Sequence, residues 1–367
     1  MADHIAASGY WSDIQDAIDL CTTGDTVHIP SGTYNFVNVD EGWAAARVTI
    51  PAGVNLFGAL TSRDEDGQVT EWNTVLNMPW DVPDDDAPVW FKVIGDGSLG
   101  VSSRISDIKL IGYRTTDAES VTGHRGIRVE DTLDFRIDHC CLEHTTGGGI
   151  VTFGAKCSGV IDHCKIYNIY GVTNLANYLL GNVGYGVASS RGYFSIGYGF
   201  EDMDNVLGKY TDHSVYIEDC YFSRWRHCTT LGHGAHHAVR YCVFDNDFDS
   251  FTIDMHGLRD SGENRWGGRC GEYYHNTFTN KIGSYFPDPP AAVGGRLAQF
   301  EGGCGVWFNN TVDTTYDGYH GGIVTYEQCT VPNTIWDLTN FYLWSPLGTH
   351  TEGVEPYPWS SGGVGEE

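Results

Sequence analysis

The chain alternates apolar and polar residues in short runs, and the runs repeat. Ile137-Asp-His-Cys-Cys-Leu142 returns as Ile161-Asp-His-Cys164-Lys-Ile166, Ile217-Glu-Asp-Cys-Tyr-Phe222, Val239-Arg-Tyr-Cys-Val-Phe244, Tyr273-Tyr-His-Asn-Thr-Phe278 and Val306-Trp-Phe-Asn-Asn-Thr-Val312. A period of two over β-branched and aromatic residues predicts strands with one buried face. Aligned on the last apolar residue, the runs end at 142, 166, 222, 244, 278 and 312. Steps of 24, 22, 34 and 34 residues fit one coil each, the longer two with an insertion. The step of 56 fits two coils or one coil with a long excursion. Ile105-Ser-Asp-Ile-Lys-Leu110 fits the same frame one coil earlier.

Such a unit cannot cover its own apolar face, but a stacked copy can. One strand-sized motif per 22–34 residues predicts an all-β solenoid, a parallel β-helix, in preference to a propeller of four-stranded blades. A β-sandwich would need frequent hairpin turns, and Asn-Gly or Asp-Gly pairs are sparse. Stacking puts Cys140, Cys164, Cys220, Cys242, Asn276 and Asn310 in one inward column, with asparagines able to hydrogen-bond along it. At the front, Ser12-Asp-Ile-Gln15 reads as a capping box with Ser12 as N-cap. Ile14, Ala17, Ile18 and Cys21 share one face of the helix that follows. Gly24–Tyr34 reads as turn, strand and turn, and a capping helix would blunt the unpaired edge of the stack.

Ile14-Gln15, Ala17-Ile18, Gly24-Asp25, Val27, Ile29-Pro30 and Gly32-Thr33-Tyr34 resemble the opening of the pectate-lyase-like superfamily of single-stranded right-handed parallel β-helices. With the repeat, the likeness spans roughly residues 10 to 330. It implies a right-handed solenoid whose lateral groove binds an extended polysaccharide. That superfamily includes lyases, hydrolases, epimerases, esterases and phage tailspikes, so it bears on fold more than on reaction. Ile137-Asp-His-Cys resembles a pectate-lyase strand phrase, but Thr145-Thr-Gly-Gly-Gly149 stands where that family carries calcium-binding acids. No Arg-x-Pro-x-x-Arg occurs, and Gly232-His-Gly234 resembles a polygalacturonase tripeptide without its companion motifs. The expected organisation is a cap helix and first strand over 1–35, coils with loop insertions over 36–330, and a C-terminal cap with a mobile tail over 331–367. Within the second part, 35–104 repeats poorly and reads as loops folded onto early coils.

Of 367 residues, 21 are Lys or Arg and 48 are Asp or Glu, a net charge of −27. That argues against nucleic acid or an anionic membrane as partner. No apolar run approaches the ~20 residues of a membrane span. Forty-seven glycines beside 41% hydrophobic residues favour a turn-rich β protein over low-complexity disorder. Eleven cysteines, an odd number without a CxxC pair, read chiefly as buried thiols, with one or two disulfides left open.

Against this acidic background, residues 224–269 hold six arginines, six acids and five of the fifteen histidines. A neutral, imidazole-rich island on an acidic solenoid suits an anionic chain. A 22-residue step sets Thr230–Gly234 against Thr252–His256, gathering Asp254, His233 and His256 on coils about 4.8 Å apart. Gly257–Gly271 would then form a polar loop bringing Arg259, Arg265, Arg269 and Trp266 over the site, beside Arg224. β-Elimination at a uronate needs a base for the α-proton and a cation at the carboxylate. His227 or His256 suits the first role, Arg226 or Arg259 the second, and Asp254 could orient either histidine. Hydrolysis is the enzymatic alternative, with Asp245, Asp247, Asp249, Asp254 and Glu263 as candidate carboxylates. A non-catalytic glycan-binding or tailspike-like protein is the other alternative.

Elimination requires no cofactor, and Ca2+ through Asp84–Asp86 or scattered acids stays open. Asp245–Asp249 begins like an EF-hand loop, but Ser250 replaces its glycine and His256 its closing glutamate. His227, Cys228, His233 and His236 lack a zinc-site spacing. The expected protein is a monomer, with a trimer left open, and is secreted or virion-associated, although its amino terminus has no signal-peptide pattern.

Overall fold

The computed structural model describes residues 1–37, 47–65, 67–78, 89–97, 102–112, 125–145, 148–154, 157–168, 185–190, 214–225, 227–232, 235–245, 252–255, 270–279, 298–300, 304–312, 324–326, 341–343 and 358–359. Three sheets run the length of the molecule, sheet A with twelve strands and sheets B and C with nine each. Each coil gives one strand to each sheet in turn. Phe135–Asp138 lies in A, Cys141–Glu143 in B and Gly148–Phe153 in C; the next coil repeats the order with Gly159–Asp162, Lys165–Tyr167 and Tyr185–Ser190. Neighbouring coils pair in parallel. The exception within these sheets is Pro358–Trp359, antiparallel to Phe341–Leu343 at the end of sheet A. The chain is a single-stranded parallel β-helix.

The repeat fixes the register of sheet B. Leu110, Leu142, Ile166, Phe222, Phe244, Phe278 and Val312 are successive partners, in the alignment drawn from the sequence. Ile166 pairs directly with Phe222, so the 56-residue step is one coil; its extra residues flank the sheet C strand Tyr185–Ser190. Inside the coil, Phe222, Phe244 and Phe278 stack with centroids 5.2 and 4.9 Å apart.

The recurring Ile-Asp-His-Cys phrase has a separate physical role at each letter. Ile137 and Ile161 point into the core. Asp138 and Asp162 face out and take paired hydrogen bonds from Arg104 and Arg136, at 2.6–2.9 Å. His139 and His163 turn the chain from sheet A to sheet B with φ near +53°, each ring touching the preceding carboxylate and stacking on the other at 4.9 Å. Other coils use Asp107, Asp219, Tyr241, His275 and Asn309 in the same left-handed turn. The next residue points inward and donates to a carbonyl of the previous coil. Cys164, Cys220 and Cys242 reach Ile137, Ile161 and Ile217 through sulfur, and Asn276 and Asn310 reach Val239 and Tyr273 at 2.9 Å. The eight cysteines with described side chains are free thiols.

The front end departs from expectation in detail. The helix spans Trp11–Ile18 and buries Ile14, Ala17 and Ile18, but its N-cap is Tyr10, with no side-chain cap. Ser12 is therefore inside the helix. Gln15 does not close a capping box; its amide accepts from Thr49 N at 2.8 Å and donates to Thr49 O at 3.2 Å. Thr49 belongs to Val48–Pro51, the edge strand of sheet C, so Gln15 supplies the partners that a missing neighbouring strand would give. A strand at Asp3–Ile5 precedes the helix and pairs with Thr26–His28. The poorly repetitive stretch to 104 still contributes coil strands, among them Asn55–Phe57, Thr74–Asn77 and Val89–Ile94. Among the described residues, no helix is long and apolar enough to cross a membrane.

Candidate functional site

Sheet B presents a polar outer face because its strands alternate. Ile166, Phe222 and Phe244 fill the core, so Lys165, Tyr167, Tyr221, Ser223 and Asp245 face away from it. With Asn168 and Arg224 they line a cavity of about 550 Å3 on the flank of the solenoid.

Its polar groups are held in place. Tyr221 Oη donates to Asp245 Oδ2 at 2.8 Å, and Tyr167 Oη donates to Glu143 Oε2 at 2.8 Å. Lys109 holds the same Glu143 oxygen at 2.7 Å. Lys165 Nζ donates to the Val69 carbonyl at 2.9 Å and lies 5.5 Å from the Trp72 ring centroid. Arg224 has φ +60°, and its carbonyl accepts from Asn168 Nδ2 at 2.9 Å. Burial, then the Asp245 carboxylate, pushes the Tyr221 phenol up to about 12. Burial also raises Tyr167, reinforced by Cys141 and Glu143. The cavity thus joins two cations, two phenols that keep their protons at neutral pH, and one carboxylate. Such a set can neutralise an anion and donate a proton.

Of the residues singled out from sequence, Arg224 and Asp245 line this cavity. His227 and Asp254 are brought together on sheet C, with Nε2 and Oδ2 3.6 Å apart and side chains only 3% and 2% exposed. The stacking that led to Asp254 needs correction. Thr230 pairs with Asp254 and Leu231 with Met255, a step of 24 residues and not 22. Sheet B keeps the 22-residue step, Phe222 to Phe244, so two extra residues enter the corner before Ile253–Met255. Arg226, His233, His256, Arg259, Arg265, Trp266 and Arg269 lie outside the described residues.

Lys165, Tyr167 and Tyr221 were missed. Their signal was present, since they occupy the polar positions flanking Ile166 and Phe222 in two aligned runs. Among possible hydrolytic pairs, Asp245 and Glu143 share a column but stand three strands apart, about 14 Å at ~4.8 Å per strand. That exceeds the roughly 5–10 Å span of a glycosidase pair. Among the described residues, no three His, Cys, Asp or Glu side chains cluster closely enough to hold a metal ion. Gly149, in the Thr145–Gly149 run, packs tightly; a Cβ there would lie 2.4 Å from Gly186 O and 2.7 Å from Ile166 Cγ2.

No protein-family profile matches the chain, and no curated protein sequence matches it. Solved structures similar to it include an alginate lyase from Paenibacillus sp. str. FPU-7, 12% identical, covering 89% of this chain and 98% of that one, with TM-score 0.46. Another is the tailspike protein gp49 of Acinetobacter baumannii bacteriophage Fri1, a capsular polysaccharide depolymerase, 12% identical over 91% of this chain and 62% of that one, with TM-score 0.41. A third is DFA-IIIase from Arthrobacter chlorophenolicus A6, 12% identical over 86% of each chain, with TM-score 0.37.

Proposed function

We propose that the protein binds an acidic, uronate-containing polysaccharide along the outer face of sheet B and cleaves it by β-elimination. The observation that carries this reading is the cavity in which Lys165 and Arg224 accompany the phenols of Tyr167 and Tyr221. Lys165 and Arg224 neutralise the uronate carboxylate, so that negative charge developing there is stabilised. A base takes the α-proton, the C–O bond at the β-carbon breaks as the double bond forms, and Tyr221 returns a proton to the departing glycosidic oxygen. The proposed base is His227, which starts a sheet C strand three residues beyond Arg224 with Asp254 beside its ring. It does not line the sheet B cavity, so this role requires the sugar chain to reach the corner between the two sheets. Arg226, His233 and His256 belong to the same proposal as catalytic candidates, and Arg259, Arg265, Arg269 and Trp266 as candidates for binding the sugar chain. A secreted or virion-surface setting would fit such a substrate.

The test is incubation with a panel of polyuronates, read by ultraviolet absorbance of unsaturated ends and by a reducing-sugar assay. Rising absorbance that is lost in Arg224→Gly supports elimination. Reducing ends without absorbance would transfer the chemistry to hydrolysis. Retained binding without either product would make the protein a non-catalytic glycan binder.

A further inference from the structure

We propose that Ser214, His236 and Glu272 form a second reactive site, a relay on the outer face of sheet A that hydrolyses short acyl esters such as sugar O-acetyl groups. The three residues lie on consecutive strands, Ser214–Glu218, His236–Arg240 and Cys270–Tyr274. Ser214 and His236 are direct register partners, and Glu272 follows Cys270, the next partner, by two residues. Val215, His237 and Tyr273, each the next residue after one of the three, are buried, so strand alternation puts all three groups on the opposite face.

Ser214 and His236 stand at nucleophile–base distance, and Glu272 faces the other ring nitrogen at ion-pair range. Ser214 Oγ lies 2.5 Å from His236 Nδ1, and His236 Nε2 lies 3.5 Å from Glu272 Oε1. With Nε2–H turned toward Glu272, Nδ1 offers its lone pair to the serine proton. Contact with His236 holds the Glu272 carboxyl below its usual range, which leaves an anion facing the ring. Ser214 Oγ attacks the ester carbonyl while its proton passes to His236. The alkoxide leaves with that proton, and water, deprotonated by His236, releases the acid and restores the serine. Ser214 is 1% exposed, whereas the Glu272 side chain is 39% exposed. An ester must therefore reach the serine past the exposed Glu272 side, a path that favours a short acyl group over a long one. Ser214 and His236 are the catalytic residues, and Glu272 is a positioning residue. The site does not depend on the reading of sheet B.

The experiment treats the full chain with a fluorophosphonate and with p-nitrophenyl esters. A single adduct mapped to Ser214 by mass spectrometry is expected, with acetate hydrolysed faster than octanoate. Ser214→Ala is expected to lower acetate turnover by about 10²–10⁴-fold. Glu272→Gln should lower kcat with KM unchanged, and Glu272→Asp should restore part of it. An absent adduct, an adduct on another residue, or acetate turnover preserved in Ser214→Ala would overturn the proposal. Adduct mapping uses the unaltered chain, so it decides the matter even where Ser214→Ala does not fold.

Discussion

Tyr221 donates its phenolic proton to Asp245 Oδ2 across 2.8 Å, from a strand one coil away. If this phenol protonates the leaving oxygen, Tyr221→Phe should lower kcat by about 10²–10⁴-fold while leaving the fold intact, because the ring is retained. The phenol is raised to about 12 from an ordinary 10, so the folded state favours the protonated form. Its contribution to stability is fully present below pH 10 and is lost as pH rises toward 12. A pH–rate profile should therefore show no loss assignable to Tyr221 below pH 10. An essential group titrating as an acid near neutrality would assign the proton donor elsewhere.

Arg224 combines a cation in the cavity with a left-handed backbone, φ +60°. Glycine adopts that conformation freely, so Arg224→Gly removes the charge and relieves backbone strain together. Affinity for a polyuronate should fall roughly tenfold, as expected for one lost charge-assisted contact, and thermal stability should hold or rise. Calorimetric titration at two salt concentrations checks this, since the lost contact should also reduce the salt dependence.

Asn276 ties three coils together. It accepts from Cys242 N at 3.0 Å, and its amide donates to Val239 O at 2.9 Å and to Asn310 Oδ1 at 3.0 Å. Asn276→Ala leaves these buried groups without that partner and should destabilise by about 2–4 kcal/mol in urea titration. Asn276→Cys should cost less, because Cys242 occupies the same column one coil earlier and donates to Ile217 O through sulfur.

His237 sits inside the solenoid, 2.8 Å from Tyr273 Oη and 3.4 Å from Ser189 Oγ. Burial, then neighbouring His236, pushes its pKa down to about 3 from an ordinary 6.5. Below pH 6.5 the unfolded chain takes up a proton that the folded chain refuses, so stability falls as pH drops toward 3. The slope assignable to this group is about 1.4 kcal/mol per pH unit. His237→Gln should flatten that part of a urea-midpoint-against-pH curve; an unchanged slope would mean that the imidazole does not titrate this way.

The sheet B register was legible because every coil repeats one apolar position, from Leu110 to Val312, and a one-residue slip would turn that position outward. The Cys-to-Asn column was legible for the same reason. Gln15 was not, since a glutamine three residues after a serine signals a capping box unless an unpaired strand edge lies within reach. The 24-residue step at Asp254 was equally hidden. Corners absorb extra residues without disturbing the strands on either side, so each sheet keeps its own count.

Sequence alone determined that this protein coils, which residues face inward, and which lie one above another within sheet B. Burial of a recurring apolar face depends on local periodicity, and that is written along the chain. Tertiary structure decided that Lys165 and Arg224 share a cavity with Tyr167 and Tyr221, that Asp254 meets His227, and that Ser214 meets His236. Those encounters depend on how many residues each corner and excursion consumes, and on which side chains then fall within hydrogen-bond or ion-pair reach.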